Sequence, residues 1–272
     1  MPDPREHPPA HERQDLSDDA FLGGALQLLQ PRTGYRAGLD AVLLAAAAQI
    51  LPGAGDEVLD AGAGVGTVGL CVARRVPAAR VALAERDPGM AELARRNIAR
   101  NGLADTVRVV EADVLGRAQS LEDVGLGADR FAHVLANPPF HDQAAGSRSP
   151  RPAKDAAHAM PAGEIAGWTR FLVRVAAPGG LLTLIHKPAA LPALLASLDG
   201  RFGGIRMLPV LARPQGPAIR ILLQGRKASR APLVVLAPLV LHETTGNAFT
   251  READAILRHG ARLPLDDDWS RR

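Results

Sequence analysis

Glu57-Val58-Leu59-Asp60-Ala61-Gly62-Ala63-Gly64-Val65-Gly66-Thr67 is the stretch on which the reading of the fold turns. A short apolar run ends in an acid, glycines follow at alternate positions, and an apolar helical pattern then runs to Arg75. That order reads as strand, tight turn and helix, because glycine lets the backbone approach a ligand and enter a helix without a Cβ clash. Outward from this stretch the alternation repeats. Arg80 to Glu85 reads as a second strand, and Pro88 starts a helix that runs to about Asn101, with Gly102 as its stop. Val107 to Val110 is a third strand with Asp113 just beyond it, and Phe131 to Ala136 a fourth that leads straight into Asn137. Upstream, Asp40 to Ile50 is expected to be a helix with Asp40 as N-cap, closed by Pro52 and Gly53. Downstream, the spacing predicts a helix over Ala162 to Val175, a turn at Pro178-Gly179-Gly180 and a strand over Leu181 to Ile185. Ile205 to Leu211 and Ala218 to Leu223 follow as an antiparallel pair. The expected architecture is α/β: a mostly parallel, doubly wound sheet with right-handed crossovers and a C-terminal antiparallel strand pair. Ligands in such sheets sit at the carboxyl ends of the strands.

The chain has 272 residues, 47% of them apolar, enough for one large domain with a substantial core. The organisation expected is a disordered tail over 1–19, which is polar, Pro-rich and acidic, a single domain over 20–262 and a C-terminal tail over 263–272. A lone cysteine, Cys71, excludes a disulfide framework or a thiolate cluster, and the eight histidines show no ligand spacing on a shared helix, so no metal is expected. Apolar stretches such as Ala41 to Leu51 fall far short of the roughly 20 residues that span a bilayer. The N-terminus lacks the basic start and apolar run of a secretory signal, and a cytoplasmic location is expected. The net charge of +3 is unevenly placed: residues 1–140 carry 14 basic and 19 acidic side chains, a balance of −5, and 141–272 carry 18 and 10, a balance of +8. Between Arg201 and Arg230 stand seven basic residues (Arg201, Arg206, Arg213, Arg220, Arg226, Lys227, Arg230) and no acid, a pattern that suits phosphate contacts in nucleic acid. Arg outnumbers Lys 29 to 3, which fits a compositional bias equally well.

The strand-end acids define the first candidate site. Glu85 is placed to accept hydrogen bonds from two ribose hydroxyls, Asp113 to read an adenine amino group, and Asp60 to orient the turn and meet a cationic amino group. Gly62, Gly64 and Gly66 form the turn that approaches the ligand. Gly64-Val65-Gly66-Thr67-Val68-Gly69 also satisfies G-x-G-x-x-G, with an acid about 20 residues on, as dinucleotide sites do. The ladder begins two residues after a strand-end acid, and no hydride-transfer residues are evident. Both features favour S-adenosylmethionine.

Asn137-Pro138-Pro139-Phe140 is the second candidate site, expected beside the first at the end of the fourth strand. An exocyclic amine on a nucleobase is a poor nucleophile because its lone pair is delocalised into the ring. The side-chain oxygen of Asn137 and the carbonyl of Pro138 can each accept one N–H, which favours a tetrahedral nitrogen as a methyl group arrives. The prolines, Pro138 and Pro139, stiffen the loop. Phe140 offers a stacking face, worth roughly 1–3 kcal/mol per base. The segment His141 to His158, rich in Pro, Ser and Ala, is expected to be a loop beside this site.

These motifs resemble the class I Rossmann-like methyltransferases that carry N-P-P-[FY], and among them the bacterial tRNA adenine-N6 methyltransferases acting on valine tRNA beside its anticodon. The resemblance covers about residues 20 to 260. Gly34-Tyr35-Arg36-Ala37-Gly38-Leu39-Asp40-Ala41-Val42-Leu43-Leu44 is similar to the family's pre-motif. Leu239-Val240-Leu241-His242-Glu243 through Phe249-Thr250 resembles its closing strand and turn. The resemblance implies S-adenosylmethionine as cofactor, held by Asp60, Gly62, Gly64, Glu85 and Asp113, and an RNA substrate, tRNA first. Phe140 stands where that tRNA enzyme has Tyr, and Phe140-His141-Asp142 is also similar to ribosomal-RNA guanine-N2 methyltransferases. Release-factor glutamine methyltransferases share N-P-P-Y, which keeps a protein or small-molecule substrate in view. A cofactor- or RNA-binding module without turnover stands last.

Overall fold

The computed structural model describes residues 15–34, 36–50, 57–139 and 162–265. An antiparallel hairpin opens the fold, β1 (Leu16–Phe21) and β2 (Leu26–Pro31), with Leu16 opposite Pro31 and Phe21 opposite Leu26. Its inner face buries Leu26 and Leu28, so strand structure begins inside the stretch expected to be a tail, whose first 14 residues lie outside the described set. Helix α1 (Leu39–Ala47) follows. Asp40 is not its N-cap: Gly38 holds that position, and the Asp40 carboxylate, one residue inside the first turn, instead accepts a hydrogen bond from Arg220 Nε at 2.7 Å.

Strand and helix then alternate as β3 (Glu57–Ala61), α2 (Thr67–Arg75), β4 (Arg80–Glu85), α3 (Pro88–Arg100), β5 (Val107–Glu111), α4 (Ala118–Asp123), β6 (Phe131–Ala136), α5 (Ala162–Val175) and β7 (Ala176–His186). The rest comprises α6 (Leu191–Leu198), β8 (Phe202–Leu211), β9 (Ala218–Lys227), the two-residue strands β10 (Val234–Val235) and β11 (Leu239–Val240), and α7 (Arg251–His259). The start of α3 shows why local chemistry suffices there: Asp87 accepts from Met90 N at 2.9 Å as N-cap, and Pro88 at the first helical position gives up a donor that would have no partner.

The main sheet runs β10-β8-β9-β7-β6-β3-β4-β5, and β11 pairs with the far end of β8. β3 pairs in parallel with β4 on one side and β6 on the other, so the strand order reverses there and opens a crevice at the carboxyl ends. β9 is antiparallel to both neighbours and lies between β7 and β8, so the expected antiparallel pair is built into the sheet. The expected turn at Pro178-Gly179-Gly180 is absorbed into β7, where the register against β6 shifts between Phe131 and His133.

Apolar clusters cover both faces. One gathers α1 and α2 with Ile256 of α7, the other centres on Phe131, Trp168, Phe171 and Leu172. Leu263 and Leu265, expected in a C-terminal tail, are fully buried in the first. Cys71 is buried there too, and burial pushes its thiol up to about 12, which leaves it a packing group. Among the described residues no helix is long and apolar enough to cross a membrane.

Candidate active site

A cavity of about 250 Å³ lies over the carboxyl ends of β3, β4 and β6. The glycine turn forms its floor. Gly62 (φ +72) lies so close to the Trp168 indole that a Cβ would stand 2.6 Å from Cη2, and its N–H and that of Ala63 both donate to Ala84 O at 2.9 Å. Gly64 (φ +56) differs: a Cβ there would meet nothing within 4 Å, so its bare face opens on the cavity. The turn is thus clamped to β4 and α5 on one side and open to a ligand on the other.

Glu85 ends β4 and is only 9% exposed. Its Oε2 accepts from Gly64 N and its Oε1 from Asp87 N, each at 2.8 Å. A carboxylate has about four acceptor sites, so this clamp fixes Glu85 while leaving capacity for two hydroxyls. Asp113, on the exposed loop after β5, lines the same cavity and accepts from Leu115 N at 2.9 Å. An open glycine face, a fixed carboxylate and an acidic loop fit the adenosine part of S-adenosylmethionine.

Asp60 and Gly66 are elsewhere. Asp60 is 1% exposed, does not line the cavity, and accepts from Gly69 N at 2.9 Å through Oδ2. Burial pushes its carboxyl up to about 7, partly opposed by the Gly69 N–H and reinforced by the nearby Glu85 charge. In this arrangement it fixes the first turn of α2 from behind the cavity lining. Gly66 likewise faces Leu83 and Leu70 behind the turn.

On the other wall, Ala61 pairs with Ala136, so the next residue of each strand, Gly62 and Asn137, sits at the same level. Asn137 and Pro139 line the cavity, and Pro138 between them is buried. Phe140 and the loop from His141 to His158 lie outside the described residues. No histidine or lysine lines the cavity among the described residues. His133 and His186 are buried, and burial pulls both down to about 4, so they are neutral at ordinary pH.

Among the wall residues that the sequence reading did not assign to the site are Gln30, Ala37 and Trp168. Gln30 is 1% exposed; its amide oxygen accepts from Ala37 N at 2.8 Å, and its nitrogen donates to Ala37 O at 3.2 Å and to Asp19 at 2.8 Å. The alternation Leu26-Gln27-Leu28 was a legible strand signal for β2. Trp168, one of two tryptophans, stands in α5, the first described helix after Asn137.

The basic stretch is largely engaged with the protein itself. Arg213 donates to the carbonyls of Glu243 and Gly246, and Arg226 donates to Gly179 O. Lys227 binds Asp129 and the carbonyls of Val173 and Ala176, and Arg220 holds Asp40.

Comparison with known proteins agrees with this geometry. The family model for the methyltransferase small domain matches residues 40–158. A tRNA1(Val) (adenine(37)-N6)-methyltransferase from Porphyromonas gingivalis is 31% identical over 242 residues, covering 85% of this chain and 91% of that one. Its counterpart from Shewanella amazonensis is 32% identical over 190 residues, 70% of this chain and 77% of that one. Shorter matches include a ribosomal RNA small subunit methyltransferase C from Pseudomonas aeruginosa, 35% identical over 45% of this chain and 34% of that one. Among solved structures, a predicted O-methyltransferase from Agrobacterium tumefaciens is 33% identical, with TM-score 0.69 over 83% of this chain and 98% of that one. The Pyrococcus horikoshii TYW2 structure in complex with MeSAdo shares the fold, at TM-score 0.51 and 13% identity over 79% of this chain and 73% of that one. Relatives matched over most of both chains and a cavity shaped for adenosine lead to one assignment: the chain belongs to the methyltransferase small-domain family and is an S-adenosylmethionine-dependent methyltransferase.

Proposed function

We propose that the protein methylates an exocyclic amine of RNA, with N6 of an adenine in tRNA as the target. The observation that carries this reading is the placement of Asn137 and Pro139 on the wall of the cavity whose floor is Gly64 and Glu85. S-adenosylmethionine, when bound, supplies an activated methyl group. The chain's own task is then to present the nitrogen lone pair and keep it aimed. Asn137 Oδ1 and the Pro138 carbonyl accept the two amine hydrogens and draw the nitrogen out of conjugation with its ring. The proton is lost after methyl transfer, when the nitrogen has become acidic, so no strong base is needed.

A hydroxyl acceptor makes a different demand. It must be deprotonated before or during attack, which calls for a general base within hydrogen-bond reach. The described lining offers carboxylates already engaged with backbone N–H groups, and neither histidine nor lysine. This supports nitrogen over the oxygen acceptor named for the Agrobacterium tumefaciens relative. Support for tRNA comes from relatives of that name matching over most of both chains, whereas the ribosomal-RNA and release-factor enzymes match over less than half of either.

The test is methyl transfer from labelled S-adenosylmethionine to unmodified valine tRNA, ribosomal RNA and bulk protein, with Asn137→Ala alongside. Labelled N6-methyladenine in the tRNA is expected, with kcat down about a hundredfold or more in Asn137→Ala, the scale of losing one pre-aimed polar group. Label in ribosomal RNA or protein alone refutes the tRNA reading.

A further inference from the structure

Asn97 projects from the third turn of α3 and is fully buried. Its amide makes three hydrogen bonds, all to backbone. Oδ1 accepts from Leu29 N at 2.8 Å, and Nδ2 donates to Leu29 O and to Val65 O, both at 3.1 Å. Leu29 belongs to β2, so the amide pairs with the hairpin as a neighbouring strand would. Val65 belongs to the glycine turn and lines the cavity.

Each end of this bridge leads to the cofactor cavity. Leu29 precedes Gln30, which lines the wall and holds Ala37, also on the wall, by two hydrogen bonds. Among the described residues the hairpin is a separate two-stranded sheet with no strand pairing to the main sheet. Its seating against the floor therefore depends on packing, on the exposed Arg100–Asp18 ion pair at 2.8 Å and on side-chain amides. Asn101, the C-cap of α3, makes the same kind of pair with Gln27, accepting from its N–H at 3.0 Å and donating to its carbonyl at 2.9 Å, but its bonds do not reach the glycine turn.

We propose that Asn97 is a positioning residue for the cofactor: its amide registers the N-terminal hairpin against the glycine turn, so that the Gln30–Ala37 wall and the Gly64–Val65 floor close on the ligand together. Two walls joined through one buried amide are thermodynamically coupled. A ligand touching both stabilises the seated hairpin, and loosening the hairpin weakens the ligand by the same factor. The inference rests on S-adenosylmethionine as cofactor and is independent of which amine accepts the methyl group.

The experiment measures S-adenosylhomocysteine binding by calorimetry for the full chain and for Asn97→Ala, Asn97→Asp and Asn101→Ala. Aspartate preserves shape and acceptor but removes both donors and sets an oxygen against two carbonyls. The expected result is a Kd raised about tenfold or more in both Asn97 variants, with KM for S-adenosylmethionine raised and kcat changed far less, while Asn101→Ala at comparable stability stays near wild type. Equal weakening in Asn97→Ala and Asn101→Ala would reduce Asn97 to a generic stabiliser and overturn the proposal. Hydrogen exchange on the wild-type protein gives a second readout that needs no variant to fold. The Leu29 and Ala37 amides should gain protection when S-adenosylhomocysteine is added, and unchanged exchange at both would overturn the coupling. Failure to methylate tRNA would affect neither the calorimetry nor the hydrogen exchange.

Discussion

Asp60 shows how a motif residue can be conspicuous in sequence and yet lie buried behind the cavity lining. Its carboxyl is pushed up to about 7 in the folded chain, from an ordinary value of 3.8. Between those values the unfolded chain has released the proton and the native chain has not, so this group makes stability fall as pH rises through that window, by roughly 1.4 kcal/mol per unit. Asp60→Asn keeps an oxygen for the Gly69 N–H and removes the ionisation. It should melt at a higher temperature than wild type at pH 8, whereas at pH 4 the two should be close; no difference at pH 8 would mean that the carboxyl ionises freely. Gly62, Gly64, Glu85 and Asn137 were legible because each occupies a strand end or a tight turn, where local chemistry dictates the residue type. Trp168 and Asn97 were not, because each acts on a backbone segment far away in the chain, and Gln30 was not, because its partners Asp19 and Ala37 come together only once the hairpin has formed.

Among the elements, β6, β7 and β9 carry one buried polar side chain each on a shared face: His133, Thr183 and Gln224. Gln224 donates to Thr183 Oγ1 at 2.8 Å and to Ala47 O at 3.1 Å, and Thr183 Oγ1 lies 2.8 Å from His133 Nε2. His133 Nδ1 faces Gln49 O at 3.4 Å. With the imidazole neutral, the consistent assignment has Nδ1–H donating to Gln49 and Nε2 accepting from Thr183. Thr183→Val keeps the shape but leaves two buried partners unsatisfied, and a loss of about 2–4 kcal/mol in urea unfolding is expected, at roughly 1–3 kcal/mol per orphaned group. The same network sets an acid limit. Burial lowers His133 from 6.5 to about 4, so between those values the unfolded chain binds a proton that the native chain refuses, and stability is lost as pH falls through that window. His186 is lowered in the same way and Asp60 acts in the opposite sense over this window, so the His133 share is read as a difference: the wild-type unfolding free energy in urea should fall relative to that of His133→Gln between pH 6.5 and 4.5, and parallel profiles would remove His133 from the acid limit. The strands themselves were readable from apolar runs. Their order was not: nothing local to Ala218–Lys227 records that it inserts between β7 and β8.

At the scale of the whole molecule, the charge imbalance between the two parts of the chain serves in part as internal stitching. Arg220 reaches back to Asp40 and Lys227 to Asp129, so basic residues of the second part hold acidic residues of the first. The polyanion reading of the Arg201–Arg230 stretch is narrowed accordingly, because changes at Arg213, Arg220 or Lys227 perturb the fold before they report on RNA. The hairpin and the last helix show the same long-range closure. α7 packs on the turn of the β1–β2 hairpin, where the Arg258 carbonyl backs onto Gly23, and Arg75 of α2 donates to Gly260 O at 3.0 Å. A chain ending at residue 250 should retain the parallel strands but bind S-adenosylhomocysteine more weakly and exchange its hairpin amides faster; wild-type affinity in that truncation would show that α7 is dispensable for the cavity.

That contact between hairpin and last helix carries a meaning in time as well as in space. The hairpin that makes a wall of the cavity precedes the glycine turn in the chain, and α7, the helix that backs it, follows every strand of the main sheet. During synthesis the hairpin therefore waits beside a floor already built until α7 emerges to brace it.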